Sequence, residues 1–201
     1  DRSNAALAAA CLDLGTDIET LEFGGTLRAG TTALANAARR SGRTLVIATD
    51  ARTAKPGSPQ EPAYGHGAAA LVIEGPADSG RSAANGKALA SILGTAHVSA
   101  NFVDHYRMTG NEFDYVLEER WLRDEGLAAL PARAIGQVLA AAGVAARDIR
   151  HFVMPGSAAN LKRIAKSAGL HADVQLADPL AADCGDTGAA HALLMLVGVL
   201  E

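Results

Sequence analysis

Residues 20–50 read TLEFGGTLRAGTTALANAARRSGRTLVIATD. The order is a short apolar run, paired glycines, a helix of small residues and a second apolar run. Residues 21–23 predict a strand, and Gly24-Gly25 a tight turn that a Cβ would obstruct. Leu27, Ala29, Ala33, Leu34 and Ala37 recur at helical spacing over 27–39 with almost no bulk. So slender a helix lets other elements approach closely, and this predicts that it is buried. Strand, turn and buried helix is how several enzyme folds present a nucleophile at a helix N-terminus, where the dipole favours an anion. Thr26-Leu27-Arg28 occupies that place, and leucine has no atom that can attack a carbonyl.

Outward from this stretch, an Ala-rich helix is predicted over 4–14, ended by Gly15. Strands are predicted over 44–48 and 67–74, with an exposed, proline-containing loop over 52–66 between them. Residues 76–86 read as a small polar turn, 88–99 as a further strand and 101–115 as a polar, aromatic segment. A largely helical stretch covers 118–142, with Pro131 at a new helix start. A strand at 149–154 enters a Pro-Gly turn, a helix at 158–168 stops at Gly169, and a loop at 181–187 feeds an apolar helix over 188–200. Alternating strands and helices give α/β layers, and the repeated strand-turn-helix order suggests an internal duplication.

The 201 residues fit one domain or a large part of a two-lobed one, and 49% hydrophobic with 20% charged is an ordinary globular balance. Aromatics are only 4% against 21 glycines, which points to close helix–sheet packing rather than a core of large rings. A net charge of −4 gives no electrostatic reason to expect nucleic acid or an anionic membrane. No apolar run approaches the ~20 residues of a membrane span. Cys11 and Cys184 are too few for a disulfide framework or a cysteine metal site; no metal is expected, and a reducing cytoplasm is the compartment they fit.

Asp104-His105-Tyr106-Arg107 is the densest polar cluster. A Tyr or His there can take a proton from a hydroxyl; the plainer reading is a surface loop held by an Asp–Arg pair. Asp186 and His191 are five apart across a loop–helix junction, either a base with its orienting partner or a helix cap with a core histidine. Cys184 reads as a small buried cysteine rather than a nucleophile, since no neighbouring cation would lower its pKa, and Cys11 as packing on its helix. His66 reads as a loop–strand junction, and His151 and His171 as surface or strand-edge residues. Gly24-Gly25 before a helix is a tight turn rather than a phosphate cradle, because neither GxGxxG nor a P-loop lysine is present.

Four pieces, LEFGGTLRAGTTAL at 21–34, YGHGAAALVIEG at 64–75, HFVMPGSAANLKRIAKSAGL at 151–170 and CGDTGAAHALLMLVGVLE at 184–201, together resemble the thiolase superfamily. The similarity is greatest to the branch of 3-hydroxy-3-methylglutaryl-CoA synthase and ketoacyl synthase III. LRAGT and GDTGAAHALLML resemble, more narrowly, a bacterial subgroup often accompanied by a zinc-ribbon/OB-fold domain. The resemblance implies an α/β fold of five layers, α/β/α/β/α, from two related halves, incomplete here at both ends. Residues 1–125 would be the remainder of the N-terminal half, with the first strand of the C-terminal half and a connecting segment. Residues 126–201 would be part of the C-terminal half. It further implies chemistry on acyl-CoA, with the CoA thioester as substrate and no separate cofactor. The expected assembly is a homodimer or a heterodimer of thiolase-fold chains, with 45–48 and 66–70 near the twofold and a zinc-ribbon/OB-fold protein as a further partner.

The family's condensing reaction uses a Cys nucleophile, an activating His and a second His or Asn that stabilises negative charge. Matched motif to motif, these positions fall on Leu27, Met154 and Asp186. Leucine forms no acyl-enzyme, methionine is neither a useful base nor a strong donor, and a carboxylate repels an oxyanion. Three such replacements argue against ping-pong condensation. What the resemblance then leaves is carbon–carbon chemistry without cysteine, foremost retro-aldol cleavage of a β-hydroxyacyl-CoA, with the proton acceptor from Asp104, His105 and Tyr106 or from Asp186 and His191. The other readings are a non-catalytic thiolase-fold subunit of a condensing complex, and a synthase whose nucleophile comes from another segment.

Overall fold

The structure, a computed structural model, describes residues 2–75, 88–116, 118–127 and 129–201. Its centre is an antiparallel pair, β1 (Arg43–Ala51) and β2 (His66–Glu74), with Arg43 opposite Glu74 and Ala51 opposite His66. Alternation along a strand sends Val46, Ala48, Ala69, Leu71 and Ile73 to one face. There they meet Ala33 and Ala37 of α2 (Ala29–Ala37) and Leu193 and Leu194, which belong to the apolar helix His191–Leu200. Burying a Val or Leu here contributes about 1.5–3 kcal/mol. Gly30 shows how close α2 comes: a Cβ on it would lie 2.5 Å from the Ala189 carbonyl oxygen and 3.0 Å from Ala48 Cβ. Lack of bulk is therefore what lets α2 enter this layer. The opposite face of the sheet carries Leu45, Ile47 and Val72, all exposed.

Helix α1 (Asn4–Cys11) begins at Ser3, whose hydroxyl accepts from the Ala6 N–H at 3.2 Å. A minimal hairpin, β3 (His105–Tyr106) with β4 (Tyr115–Val116), places Tyr106 and Tyr115 in a stack 5.2 Å apart. Next come the short α3 (Glu119–Trp121), a π-helical turn (Leu122–Gly126) and α4 (Leu130–Ala142), with Pro131 in its first turn. The last portion contains β5 (His151–Phe152), α5 (Ala158–Ser167) and β6 (Gln175–Leu176), with β5 and β6 paired in parallel. A 3₁₀ turn (Gly188–Ala190) leads into α6 (His191–Leu200).

Several expectations need correction. Residues 21–23 form no strand: Leu21 and Phe23 are exposed and enter no ladder among the described residues. Nor do residues 88–99, whose Leu89 and Leu93 point to solvent; Arg28 Nη1 donates to the Val98 carbonyl at 3.2 Å, and Arg39 meets His97 Nε2 at 3.1 Å. An apolar run becomes a strand only when a partner takes its backbone groups. Helix α2 starts at Ala29 rather than Leu27, because the Thr26 carbonyl accepts from the Ala29 N–H at 3.1 Å in a preceding turn. Cys11 is exposed on α1, not packed. The turn expected over 76–86 lies outside the described residues. Among the described residues, no helix is long and apolar enough to cross a membrane.

Candidate active site

A cavity of about 520 Å³ opens where the glycine turn faces the hairpin. Gly24, Gly25, Thr26 and Leu27 line one side, and Asp104, His105, Tyr106 and Arg107 the other, with Asp50 and Ala189 also in the wall. Gly25 has φ +75°, the left-handed conformation that the tight turn requires. Leu27 is half-buried at the foot of α2, so the position that the resemblance gives to a nucleophile carries an isobutyl group against the cavity.

Asp104 Oδ1 and His105 Nδ1 are 2.8 Å apart, and the same oxygen accepts the His105 backbone N–H at 2.8 Å. With Nδ1–H donated to the carboxylate, the lone pair of the ring sits on Nε2, which is the arrangement of a histidine base with its orienting acid. That hydrogen bond holds the Asp104 carboxyl below the usual carboxylate range, against the opposing effect of burial. Tyr106 is partly exposed beside it.

Behind this wall runs a closed ring of charges. Arg52, at the end of β1, is 4% exposed; its Nε donates to Asp114 Oδ2 at 3.0 Å and its Nη1 to Asp186 Oδ2 at 2.6 Å. Asp114, in the hairpin, also takes Arg107 through both of its oxygens. Arg107 reaches Asp50 Oδ1 at 3.3 Å, Asp50 Oδ2 accepts the Ala189 N–H at 3.1 Å, and Asp186 Oδ1 accepts the Gly188 N–H at 2.9 Å. Three carboxylates thus face two guanidiniums, and the N-terminus leading into α6 takes up the remaining negative charge. Burial alone would raise the Asp114 carboxyl, but the hydrogen bonds from Arg107 and Arg52 outweigh it and hold it low. The Arg52 guanidinium lies 3.5 Å from the Tyr64 ring centroid. Burial raises the Tyr64 phenol, although the Arg52 charge opposes this. Gly188 is required twice over: its φ is +57°, and a Cβ would sit 2.2 Å from Asp50 Oδ2.

The structure therefore gathers Asp104, His105 and Tyr106 with Leu27 on one cavity. It does not join Asp186 to His191. Asp186 is engaged by Arg52 and Gly188, whereas His191 is buried with Nδ1 3.3 Å from both the Thr187 N–H and its hydroxyl. Met154 is half-buried in the chain after β5 and is not among the residues described as lining the cavity. Cys184 Sγ contacts the carbonyls of Leu180 and Gly185. His66 is exposed at the start of β2, and His151 and His171 line an open groove elsewhere. Arg107 pairs with Asp114 and Asp50 rather than with Asp104. Sequence reasoning missed Asp50, Arg52, Asp114 and Tyr64. The available signal was Asp50-x-Arg52 at the end of an apolar strand, where α/β folds collect functional side chains.

The fold is similar to that of a solved structure, MvaS in complex with 3-hydroxy-3-methylglutaryl coenzyme A, with a TM-score of 0.68 at 19% identity. The match covers 99% of this chain and 56% of that one, so the chain spans little more than half the length of that neighbour. The fold is thus α/β and thiolase-like. No family model and no curated protein matches the sequence.

Proposed function

We propose that this chain builds an acyl-CoA site for carbon–carbon bond chemistry that proceeds without a cysteine acyl-enzyme, and that the reaction is retro-aldol cleavage of a β-hydroxyacyl thioester. The observation that carries this reading is the cavity shared by the Leu27 turn and the Asp104–His105 pair. His105 takes the proton of the β-hydroxyl while Asp104 orients the ring. The Cα–Cβ bond breaks, its electron pair passes into the thioester as an enolate, and an aldehyde or ketone leaves. Protonation at Cα completes a shortened acyl-CoA, so atoms and electrons balance with no further reactant. The coenzyme A derivative in complex with MvaS is itself a 3-hydroxyacyl thioester, which supports the substrate class.

The test is a panel of 3-hydroxyacyl-CoAs incubated with the whole protein, following free carbonyl product. His105→Ala is expected to lower cleavage by about 10²–10⁴-fold, the usual contribution of a general base. Cleavage at the wild-type rate in that variant would sink the assignment. Leu27→Cys is not expected to restore condensation, because Met154 and Asp186 remain.

A second reading is favoured by Leu27 itself and by the exposed Leu45, Ile47 and Val72. The chain would then be a non-catalytic subunit that keeps the thioester cavity and docks against another thiolase-fold chain, either a second copy or a homologous partner. Thioester binding without turnover, together with a stable dimer in light scattering, would select it. A zinc-ribbon/OB-fold partner rests on the resemblance of LRAGT and GDTGAAHALLML alone.

A further inference from the structure

We infer that Arg52 is a positioning residue of this site, fixing the hairpin that carries Asp104 and His105 and holding the Asp186 carboxylate away from a proton-accepting role. Its guanidinium uses two different nitrogens on two different elements: Nε for Asp114 in the hairpin at 3.0 Å, and Nη1 for Asp186 before α6 at 2.6 Å. Its Cζ lies over Tyr64, 3.5 Å from the ring centroid, so the group is held from a third side. Asp114 adds a backbone tie, its N–H donating to the Thr53 carbonyl at 2.9 Å, next to Arg52 in the chain. Among the described residues the hairpin's two-residue strands pair only with each other, and these contacts attach it to the end of β1.

The same geometry favours one of the two candidate sets of acceptors. Asp186 has Oδ2 on Arg52 and Oδ1 on the Gly188 N–H, and His191 faces Thr187. Neither is among the residues described as lining the cavity, whereas Asp104 and His105 are. Lysine cannot stand in for Arg52, because an ammonium is a point charge without a planar fork to span two carboxylates or a face to stack on Tyr64.

This inference rests on the proposed function for its kinetic readout, and a second measurement separates the two. Arg52→Lys and Asp186→Asn are compared with wild type in cleavage and in amide hydrogen exchange at Asp114. Arg52→Lys is expected to lower kcat by about 10²-fold, the effect of a misplacement near 1 Å, with KM changed little. It is also expected to speed exchange of the Asp114 N–H. Asp186→Asn, which still offers an oxygen but no charge, is expected to lower kcat less than Arg52→Lys does, and the double variant to resemble Arg52→Lys alone. Wild-type kcat and wild-type Asp114 exchange in Arg52→Lys would overturn the inference, as would loss of kcat in Asp186→Asn equal to that of His105→Ala. If the wild type cleaves no thioester, the functional reading fails, and the exchange rate still decides whether Arg52 holds the hairpin.

Discussion

Helix α2 meets β1 through Ala33, Ala37, Val46 and Ala48, whereas the β3–β4 hairpin meets the end of the same strand through Arg52–Asp114 and Arg107–Asp50. The first contact is apolar and non-directional, made from many small dispersion contacts at close range. The second consists of a few directional bonds between ions, each removed from water at a cost that its partners must offset. The cavity lies at the junction of the two. Small residues place the turn of Leu27, and charges place Asp104 and His105 opposite it. Apolar packing tolerates the loss of one contact, but a ring of charges leaves a buried ion short of a partner when one member goes.

The largest effect expected from this contrast is at Asp114, which serves both arginines. Asp114→Ala would strip Arg52 of a partner where both side chains are nearly fully buried, at 2% and 1% exposure. Breaking a buried pair from one side costs about 3–5 kcal/mol, readable as a fall in the urea midpoint. A loss below about 1 kcal/mol would show that the hairpin does not depend on the ring. The same residue gives a pH prediction. Its carboxyl is held below its ordinary value of 3.8 in the folded chain, so its contribution is fully present above that value. It is lost as pH falls through the lowered folded-state value. Asp104 acts in the same direction, through the bond from His105. Asp114→Asn should therefore flatten the acid limb of a plot of Tm against pH, and an unchanged limb would contradict the assignment.

A smaller loss is expected on the apolar side. Gly30→Ala puts a methyl 2.5 Å from the Ala189 carbonyl oxygen, a backbone atom that cannot rotate away. Overpacking of this kind costs typically 1–3 kcal/mol. Because Ala189 also donates its N–H to Asp50, the shift should pass into the ring, and faster exchange of that N–H would register it. Gly136, with nothing within 4 Å of its added Cβ, is the control: in mid-helix, Gly136→Ala should be neutral or stabilising.

How far the sequence could be read follows the same division. The small residues of 27–39 announced a helix that others approach closely, and the apolar runs at 44–48 and 67–74 announced the strands, because each signal is local. Residues 21–23 and 88–99 misled for a physical reason: apolar composition reports a wish for burial, but a strand also needs a ladder partner. Of the site, Asp104 to Arg107 was legible as a dense polar cluster next to an apolar run. Arg52 and Asp114 were not, since 62 positions separate them and Asp186 is 134 from Arg52. Pairing at that range is written in topology, not in spacing. Arg52 also opens a stretch rich in proline, which reads as exposed loop although the side chain is buried.

The smallest effect sharpens the contrast most cleanly, because the chemistry is the same and only the surroundings differ. Arg43 and Glu74 face each other at the far end of the β1–β2 ladder, with Nη2 and Oε1 3.6 Å apart and side chains 61% and 47% exposed. Water already solvates both ions, so pairing gains little Coulomb energy and costs side-chain freedom. Glu74→Gln is therefore expected to change stability by less than about 1 kcal/mol, and high salt should weaken even that, since the screening length falls from ~10 Å at 0.1 M to ~3 Å at 1 M. Salt should act more weakly on the loss in Asp114→Ala, because a pair at 1–2% exposure is shielded from mobile ions. Measuring both variants at low and high ionic strength compares an arginine–carboxylate pair at the two ends of one strand. Equal salt dependence at both ends would mean that solvent reaches the ring, and the hairpin would then owe its place to packing rather than to charge.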